Sequence, residues 1–176
     1  MRFLLVAIAF ITSISALNAA DSADQALRDF YQGYLEASLP LSPTSATRLG
    51  DHRFDAQLDD VSPAGLEKRI ALAKRTLEDL PKRVAFEKLS RDGQIDYEML
   101  RDGLKLELWS DEHEKPWQRD PRGYTNIATD CAYALLTQST LPKEQNIANV
   151  IARVKQVPAM IAQARLSLKN PTQVHT

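Results

Sequence analysis

Apolar residues recur at intervals of three and four along nearly the whole sequence, and prolines separate the periodic segments. Leu27, Phe30 and Leu35 lie on one face of a segment that Pro40 ends. This spacing places side chains on one side of an α-helix, whereas a half-buried strand alternates apolar and polar residues. No clearly alternating segment occurs in the sequence. The sequence therefore predicts an all-α fold of about six helices.

Capping residues and prolines mark where several of these helices begin and end. Ser42 is the predicted cap of a short helix, and Gly50 is its predicted stop. Ser62 is the predicted cap of a longer helix that Pro81 ends, and Ser90 is the predicted cap of the next. These signals predict that helices alternate with short turns in the first half of the chain.

The second half of the chain is predicted to hold further helices around one irregular segment. The helix that begins after Ser90 is predicted to end at Trp109, and residues 110–124 are predicted to be irregular. A later helix runs from Pro142 to a kink at Pro158, which lacks a backbone donor. The stripe of this helix predicted to face the core consists of Ile147, Val150, Ile151, Val154 and Val157.

Residues 1–20 have the pattern of a secretory signal peptide. Arg2 precedes a short apolar run, and small residues between Ala16 and Ala20 precede a polar stretch. The apolar run is too short to span a bilayer with any margin. We therefore expect export to the periplasm or the extracellular space, with residues 21–176 as the mature helical domain. An uncleaved N-terminal anchor is the alternative.

Composition narrows the classes of function for the mature chain. The formal net charge is −1, and the basic residues do not cluster. A nucleic-acid partner is therefore not expected, and no membrane contact is expected once the signal peptide is removed. Cys131 is the only cysteine, so an internal disulfide is excluded. Its apolar surroundings predict a buried thiol rather than a nucleophile.

The segment from Thr47 to Pro63 concentrates acids, one histidine and two arginines between two predicted helices. A general acid–base pair requires two carboxylates with different pKa values, and an arginine beside an aspartate keeps that aspartate ionised. We therefore predict an ion-paired loop that holds two helices together, with substrate contact at a cleft rim as the alternative. The residues of this candidate site are Asp51, His52, Arg53 and Asp55.

No metal-binding or catalytic motif is complete in this sequence. A helical zinc site requires two histidines one turn apart, whereas His52, His113 and His175 are widely separated. The motifs of serine hydrolases and of nucleotide-binding proteins do not occur either. No catalytic residue, metal ligand or cofactor is therefore assigned. The aromatic residues near the irregular segment are predicted to pack in the core or against a loop, and a ligand platform is the alternative. These residues are Trp109, Trp117 and Tyr124.

Three segments, in their order and spacing, resemble the bacterial family named domain of unknown function 885 (DUF885). The first reads P-x-x-A-T-x-L-G-x-H-x-x-D and runs from Pro43 to Asp55. The second reads D-Y-x-x-L at residues 96–100, and the third is a proline-broken helix that Asn170 and Pro171 follow. The resemblance covers nearly all of the mature chain.

The resemblance implies that this chain is the N-terminal helical portion of a longer exported protein. Members of the family are similar to helical zinc metallopeptidases and carry an H-E-x-x-x-G-H-type motif in their C-terminal half, where zinc activates water. This sequence has no counterpart of that motif. The resemblance therefore implies a non-catalytic portion that forms one wall of a cleft. Zinc and a peptide substrate would belong to the full-length protein.

Two other hypotheses remain open at the level of the sequence. One is a self-contained helical module of the periplasm that binds a peptide or a protein partner. The other is hydrolysis by this chain itself, for which Asp51 and His52 are the candidate residues.

Overall fold

The computed structural model describes residues 21–169, and every regular element in that range is helical. The prediction of an all-α fold is confirmed. The predicted signal peptide and the tail with His175 lie outside the described residues. The α-helices are residues 21–38 (α1), Pro43–Arg48 (α2), Pro63–Arg83 (α3), Arg91–His113 (α4), Pro116–Arg119 (α5), Arg122–Thr137 (α6), Lys143–Val154 (α7) and Val157–Ser167 (α8). Short 3-10 helices lie at Leu39–Leu41, His52–Phe54 and Phe86–Lys88.

The described residues divide into two compact units. The first comprises residues 21–35 and Lys74–Leu106, and the second comprises Glu36–Ala73 together with residues 107–169. Helices α3 and α4 each contribute residues to both units. The assignment of residues 21–176 to one helical domain stays a prediction.

The core of the first unit consists of apolar side chains from α1, α3 and α4. In α1, Leu27 and Phe30 are buried, as the helical stripe predicted. The rings of Phe86 and Tyr97 meet edge to face with their centroids 5.2 Å apart. Ser90 caps α4 as predicted, because its hydroxyl oxygen accepts a 3.1 Å hydrogen bond from the Gly93 N–H.

The prediction that Pro81 ends α3 is wrong, since the helix continues to Arg83. A proline removes one backbone donor, and here it does so in the last turn of the helix. The side chains of Leu80 and Val84 are almost completely buried, and the Val84 N–H donates to the Leu80 carbonyl at 3.0 Å. Burial of these two side chains offsets the missing hydrogen bond.

The prediction of an irregular segment at residues 110–124 is also wrong, because most of it is helical. Helix α4 extends to His113, whose ring stacks on Trp109 with centroids 5.1 Å apart and whose Nδ1 lies 2.9 Å from the Trp109 carbonyl oxygen. The chain then turns at Lys115, which has a left-handed φ of 51°. The carboxylate of Asp120 accepts a hydrogen bond from the Arg122 N–H at the start of α6.

The predicted core-facing stripe is wrong for most of α7. Ile147, Ile151 and Val154 are 41%, 50% and 49% exposed. The buried positions of the helix are instead held by Asn146 and Arg153. A surface helix usually buries its apolar face and exposes its polar face. Helix α7 has the reverse arrangement.

The core of the second unit is a cluster around Cys131. Leu58, Tyr124, Met160 and Ala164 are the other buried members. The prediction that Cys131 is a buried thiol is confirmed, and burial raises its pKa. A thiol with a raised pKa is protonated at neutral pH and is a poor nucleophile.

Two glycines of α4 give a matched test of packing in the first unit. A Cβ at Gly93 would collide with the carboxylate of Asp24, which accepts a 3.0 Å hydrogen bond from the Ser90 N–H, whereas a Cβ at Gly103 would meet nothing. We expect Gly103→Ala to stabilise the protein by about 0.5–1 kcal/mol through helix propensity. We expect Gly93→Ala to be less stable than Gly103→Ala by about 1–2 kcal/mol, because Asp24 must move and lose its hydrogen bond.

Urea unfolding of both variants measures this difference. In an Asp24→Ala background the obstacle is gone, so Gly93→Ala should recover the gain seen at Gly103. Equal stability of the two glycine variants in the wild-type background would contradict the packing described here.

Candidate functional site

The candidate loop follows directly from the end of α2. Gly50 has a φ of 85°, which ends the helix as predicted, and the Asp51 N–H returns to the Ala46 carbonyl at 2.9 Å. Asp51 then caps the 3-10 helix His52–Phe54 by accepting a hydrogen bond from the Arg53 N–H. The backbone therefore fixes the directions of the four candidate side chains.

The outer side of the loop is an exposed ion-pair group centred on Arg53. Its guanidinium donates to both carboxylate oxygens of Asp51, to Oδ1 at 3.0 Å and to Oδ2 at 2.6 Å, and to Glu36 at 2.7 Å. Hydrogen bonds from Arg53 lower the pKa of Asp51. Asp51 is thus held as a carboxylate, which is unsuited to donating a proton.

The inner side of the loop is the buried carboxylate of Asp55, whose two oxygens contact Thr47 and His52. Asp55 is 2% exposed, and one oxygen accepts a 2.6 Å hydrogen bond from the Thr47 hydroxyl. The other oxygen lies 2.8 Å from Nδ1 of His52. Because a carboxylate accepts hydrogen bonds, this contact sets Nδ1 as the protonated nitrogen of the imidazole.

Arg153 of α7 joins this carboxylate to the backbone of the loop. Its side chain is 0% exposed, and it donates to the carbonyls of Gln57 at 2.8 Å and of Pro43 at 3.1 Å. The same guanidinium donates to the Thr47 hydroxyl at 2.6 Å, and its nearest nitrogen is 3.9 Å from Asp55. We call the group formed by Thr47, His52, Asp55 and Arg153 the buried polar cluster.

The buried polar cluster does not fit a zinc site. Within residues 21–169, no three His, Cys, Asp or Glu side chains are grouped so that they could hold a metal ion. His52 Nδ1 is engaged by Asp55, and His113 Nδ1 is engaged by the Trp109 carbonyl. The described residues therefore lack the ligand set of the zinc chemistry that the family resemblance implied.

A second feature of the same unit is a cavity of about 280 Å³, which we call the acidic pocket. It lies among the start of α3, the end of α4, the short helix α5 and the start of α6. Its apolar walls include Leu66, Trp117, Tyr124 and Ile127. The Tyr124 hydroxyl donates to the Trp117 carbonyl at 2.5 Å and so ties α6 to α5.

Two carboxylates one helical turn apart, Glu107 and Asp111, line the acidic pocket. Neither makes an ion pair or a hydrogen bond with another residue in the part of the chain that the structure describes. Burial raises the pKa of both carboxyls, and the charge of Asp111 raises the pKa of Glu107 further. Arg69 also lines the pocket and opposes these shifts, but its guanidinium donates to the Asp60 carbonyl at 3.0 Å.

A more polar cavity of about 320 Å³ adjoins the acidic pocket. The two cavities share Arg69 and Ile127 among their lining residues. Asp59 and Thr44 line the polar cavity and are joined by a 2.5 Å hydrogen bond, and Asp130 there pairs with Arg48 at 3.3 Å. The two cavities are therefore neighbours within this unit.

The structure brings the four predicted site residues together, and it adds residues that the sequence did not indicate. Arg153 was missed because an arginine in an amphipathic helix normally points to solvent. Trp117 was predicted to pack or to serve as a ligand platform, and it lines the acidic pocket. The i,i+4 spacing of Glu107 and Asp111 was a usable signal, because two like charges one turn apart destabilise a helix. Such a pair therefore suggests a role other than helix stability.

These features describe an all-α protein with a buried polar cluster and two neighbouring cavities. The chain belongs to the family described as a bacterial protein of unknown function (DUF885), whose family model matches residues 43–175. A solved structure from Shewanella oneidensis, described as a putative lipoprotein of unknown function, is similar to this chain with 29% sequence identity and a TM-score of 0.76. The similarity covers 85% of this chain and 27% of that one, so this chain spans about a quarter of that protein's length.

No curated protein matches this chain. Among the helices between residues 21 and 169, none combines the length and the hydropathy needed to cross a bilayer.

Arg153 should be the largest single contributor to the stability of the loop. We expect Arg153→Met, which keeps most of the side-chain volume, to cost about 3 kcal/mol, because two carbonyls lose their buried donor and Asp55 loses the nearby positive charge. Arg48→Met removes an exposed ion pair in the same unit and should cost less than about 0.5 kcal/mol. Guanidinium unfolding measures both values, and similar costs for the two variants would contradict this account.

The acidic pocket should lower stability at neutral pH. Each carboxyl has a folded-state pKa above its unfolded value, so the folded state binds more protons and the penalty is present only at pH values above the unfolded pKa. We expect the double variant Glu107→Gln, Asp111→Asn to melt about 1–2 °C higher than wild type at neutral pH. The gain should vanish near about pH 3, where both carboxyls are protonated in either state.

Thermal melts across this pH range are the measurement. Glu112→Gln, an exposed position on the same helix outside the pocket, is the matched control and should show no such gain. A gain that persists in acid would mean that charge is not its cause.

Proposed function

We propose that this chain is the non-catalytic, N-terminal helical portion of an exported DUF885 protein and forms one wall of its substrate cleft. In this proposal the complete protein is a zinc-dependent peptidase or a related hydrolase, and the zinc ligands come from elsewhere in it. The family match and the fraction of the solved relative that this chain spans support a role within a longer protein.

The observation that carries the proposal is the exposed face of α7, formed by Ile147, Ile151 and Val154. These three side chains are about half exposed and lie along one face of the helix, at spacings of four and three residues. Contiguous apolar surface of this kind marks a contact site. The remainder of the longer protein is the partner that the proposal assigns to it.

The buried polar cluster supports a structural role for the candidate loop. Asp55 accepts a hydrogen bond from Thr47 and contacts His52, so its carboxylate is already engaged. Asp51 is paired with Arg53 and is therefore not available as a catalytic acid. In this role the loop fixes α2 against α7 and so holds the α7 face in position.

Export is part of the proposal for two reasons. Residues 1–20 have the composition of a signal peptide, and the similar protein from Shewanella oneidensis is described as a putative lipoprotein. Both point to the cell envelope or the extracellular space as the place where this chain works.

A second candidate function is a self-contained helical binding module. The observation that favours it is that all lining residues of the acidic pocket lie within one compact unit of this chain. Binding there would require no further protein.

Substitutions on the α7 face test the proposed supporting role. We expect the purified chain to self-associate and to bind a hydrophobic dye, and we expect Ile147→Lys with Ile151→Lys to reduce both, because the apolar surface is broken. The free energy of unfolding should change by less than about 1 kcal/mol, since these side chains are already accessible to solvent. Sedimentation velocity and dye fluorescence are the measurements.

Ala148→Lys, an exposed α7 position outside that face, is the matched control and should change neither property. A wild-type chain that stays monomeric and binds no dye would contradict the supporting role. The supporting role would also be contradicted if the purified chain retained one zinc ion, or if it hydrolysed a peptide and His52→Ala abolished that activity.

A further inference from the structure

The acidic pocket offers a combination of groups that is costly to maintain without a ligand. Glu107 and Asp111 project from one face of α4 into a cavity whose other walls include Leu66, Trp117 and Ile127. Glu107 is exposed and Asp111 is half-buried, so their like charges repel each other in surroundings that are partly desolvated by the apolar walls. A bound cation with an apolar stem would relieve both costs, because its charge meets the carboxylates and its stem meets the walls.

We propose that the acidic pocket binds the basic side chain, lysine or arginine, of a peptide segment, with its cationic group held between Glu107 and Asp111. The proposal goes beyond the supporting role described above and does not depend on it, because the pocket is complete within one unit of this chain.

The charge of the pocket favours a cationic ligand over an anionic one. Glu107 and Asp111 supply two negative charges, and Arg69 supplies one positive charge. The Arg69 guanidinium donates a hydrogen bond to the Asp60 carbonyl, and no ion pair joins it to Glu107 or Asp111 in the described part of the chain. The carboxylates therefore keep their capacity to accept hydrogen bonds from a ligand.

The ligand is an organic cation rather than a metal ion. Hard metal ions need several oxygen ligands, and residues 21–169 contain no group of three or more side chains able to supply them. The stem of a lysine or arginine side chain instead packs well against aliphatic and aromatic walls. The volume of about 280 Å³ lies just below the range of small-molecule pockets, about 300–1,000 Å³, and suits one side chain rather than a large cofactor.

The adjoining polar cavity favours a peptide over a free amine. It shares Arg69 and Ile127 with the acidic pocket and is lined by hydrogen-bonding groups, among them Asn126 and Ser45. A peptide whose side chain enters the acidic pocket would place its backbone amides beside such groups. A small amine would leave the polar cavity unused.

Binding can be followed by tryptophan fluorescence, because Trp117 lines the pocket. A Trp109→Phe background removes the only other tryptophan. The probes are the blocked peptides Ac-Ala-Lys-Ala-NH2 and Ac-Ala-Nle-Ala-NH2, where norleucine (Nle) keeps the apolar stem of lysine without its charge. We expect the lysine peptide to bind at least about tenfold more tightly, the value of one charge-assisted contact of about 1.4 kcal/mol.

Charge-removing variants identify the site of binding. Glu107→Gln with Asp111→Asn should abolish the preference for lysine over norleucine, whereas Glu112→Gln, outside the pocket on the same helix, should preserve it. Arg69→Met should strengthen binding of the lysine peptide severalfold, because it removes a competing positive charge. A merely structural role for the two acids would produce neither change.

Three outcomes would overturn the proposal: equal binding of the two peptides, a lysine preference that survives in the double variant, or butylamine binding as tightly as the lysine peptide. A thermal melt of each variant shows that it is folded. Failure of the peptide titration would leave the supporting role intact, since that role is tested by the α7 face and not by this pocket.

Discussion

Burial of the Arg153 guanidinium is the constraint on which the second unit depends. A charge removed from water needs acceptors, and Nε and Nη2 of Arg153 donate to a hydroxyl and to backbone carbonyls near the Asp55 carboxylate. The Nη1 atom of Arg153 is buried without a hydrogen-bond partner among residues 21–169. Because the carbonyls belong to Pro43 and Gln57, one side chain of α7 ties the start of α2 to the part of the chain that follows Asp55. The loop is therefore defined by a contact about a hundred positions away in the sequence.

The buried arginine also explains the orientation of α7. If the guanidinium points inward, the residues on the opposite side of the helix point outward, and these include Ile147, Ile151 and Val154. Hydrophobic burial alone would turn the helix the other way. A surface that covered this apolar face would remove the cost of its exposure, and the buried polar cluster thereby bears on the proposed role within a longer protein.

Most local signals in the sequence predicted local structure well, although Ser42 precedes α2 without the side-chain cap hydrogen bond predicted for it. Ser62 and Ser90 cap their helices, Gly50 ends α2 with a positive φ, and the apolar run around Cys131 buries its thiol. Pro81 and residues 110–124 were predicted less well, because tertiary burial and ring stacking outweighed the local preference to break a helix. Arg153 was beyond sequence reasoning, since its acceptors are assembled only by the fold.

The acidic pocket and the buried polar cluster contain similar residue types but differ in what they leave unsatisfied. In the cluster, Asp55 receives hydrogen bonds from its neighbours, so its charge is used to hold the fold. In the pocket, Glu107 and Asp111 have no such partner among the described residues, and burial raises the pKa of both. A fold that needed only stability would replace these acids with neutral residues, whereas a binding site retains charge at the expense of stability. By this criterion the pocket, rather than the loop that first attracts notice in the sequence, is the part of this chain best suited to recognise a ligand.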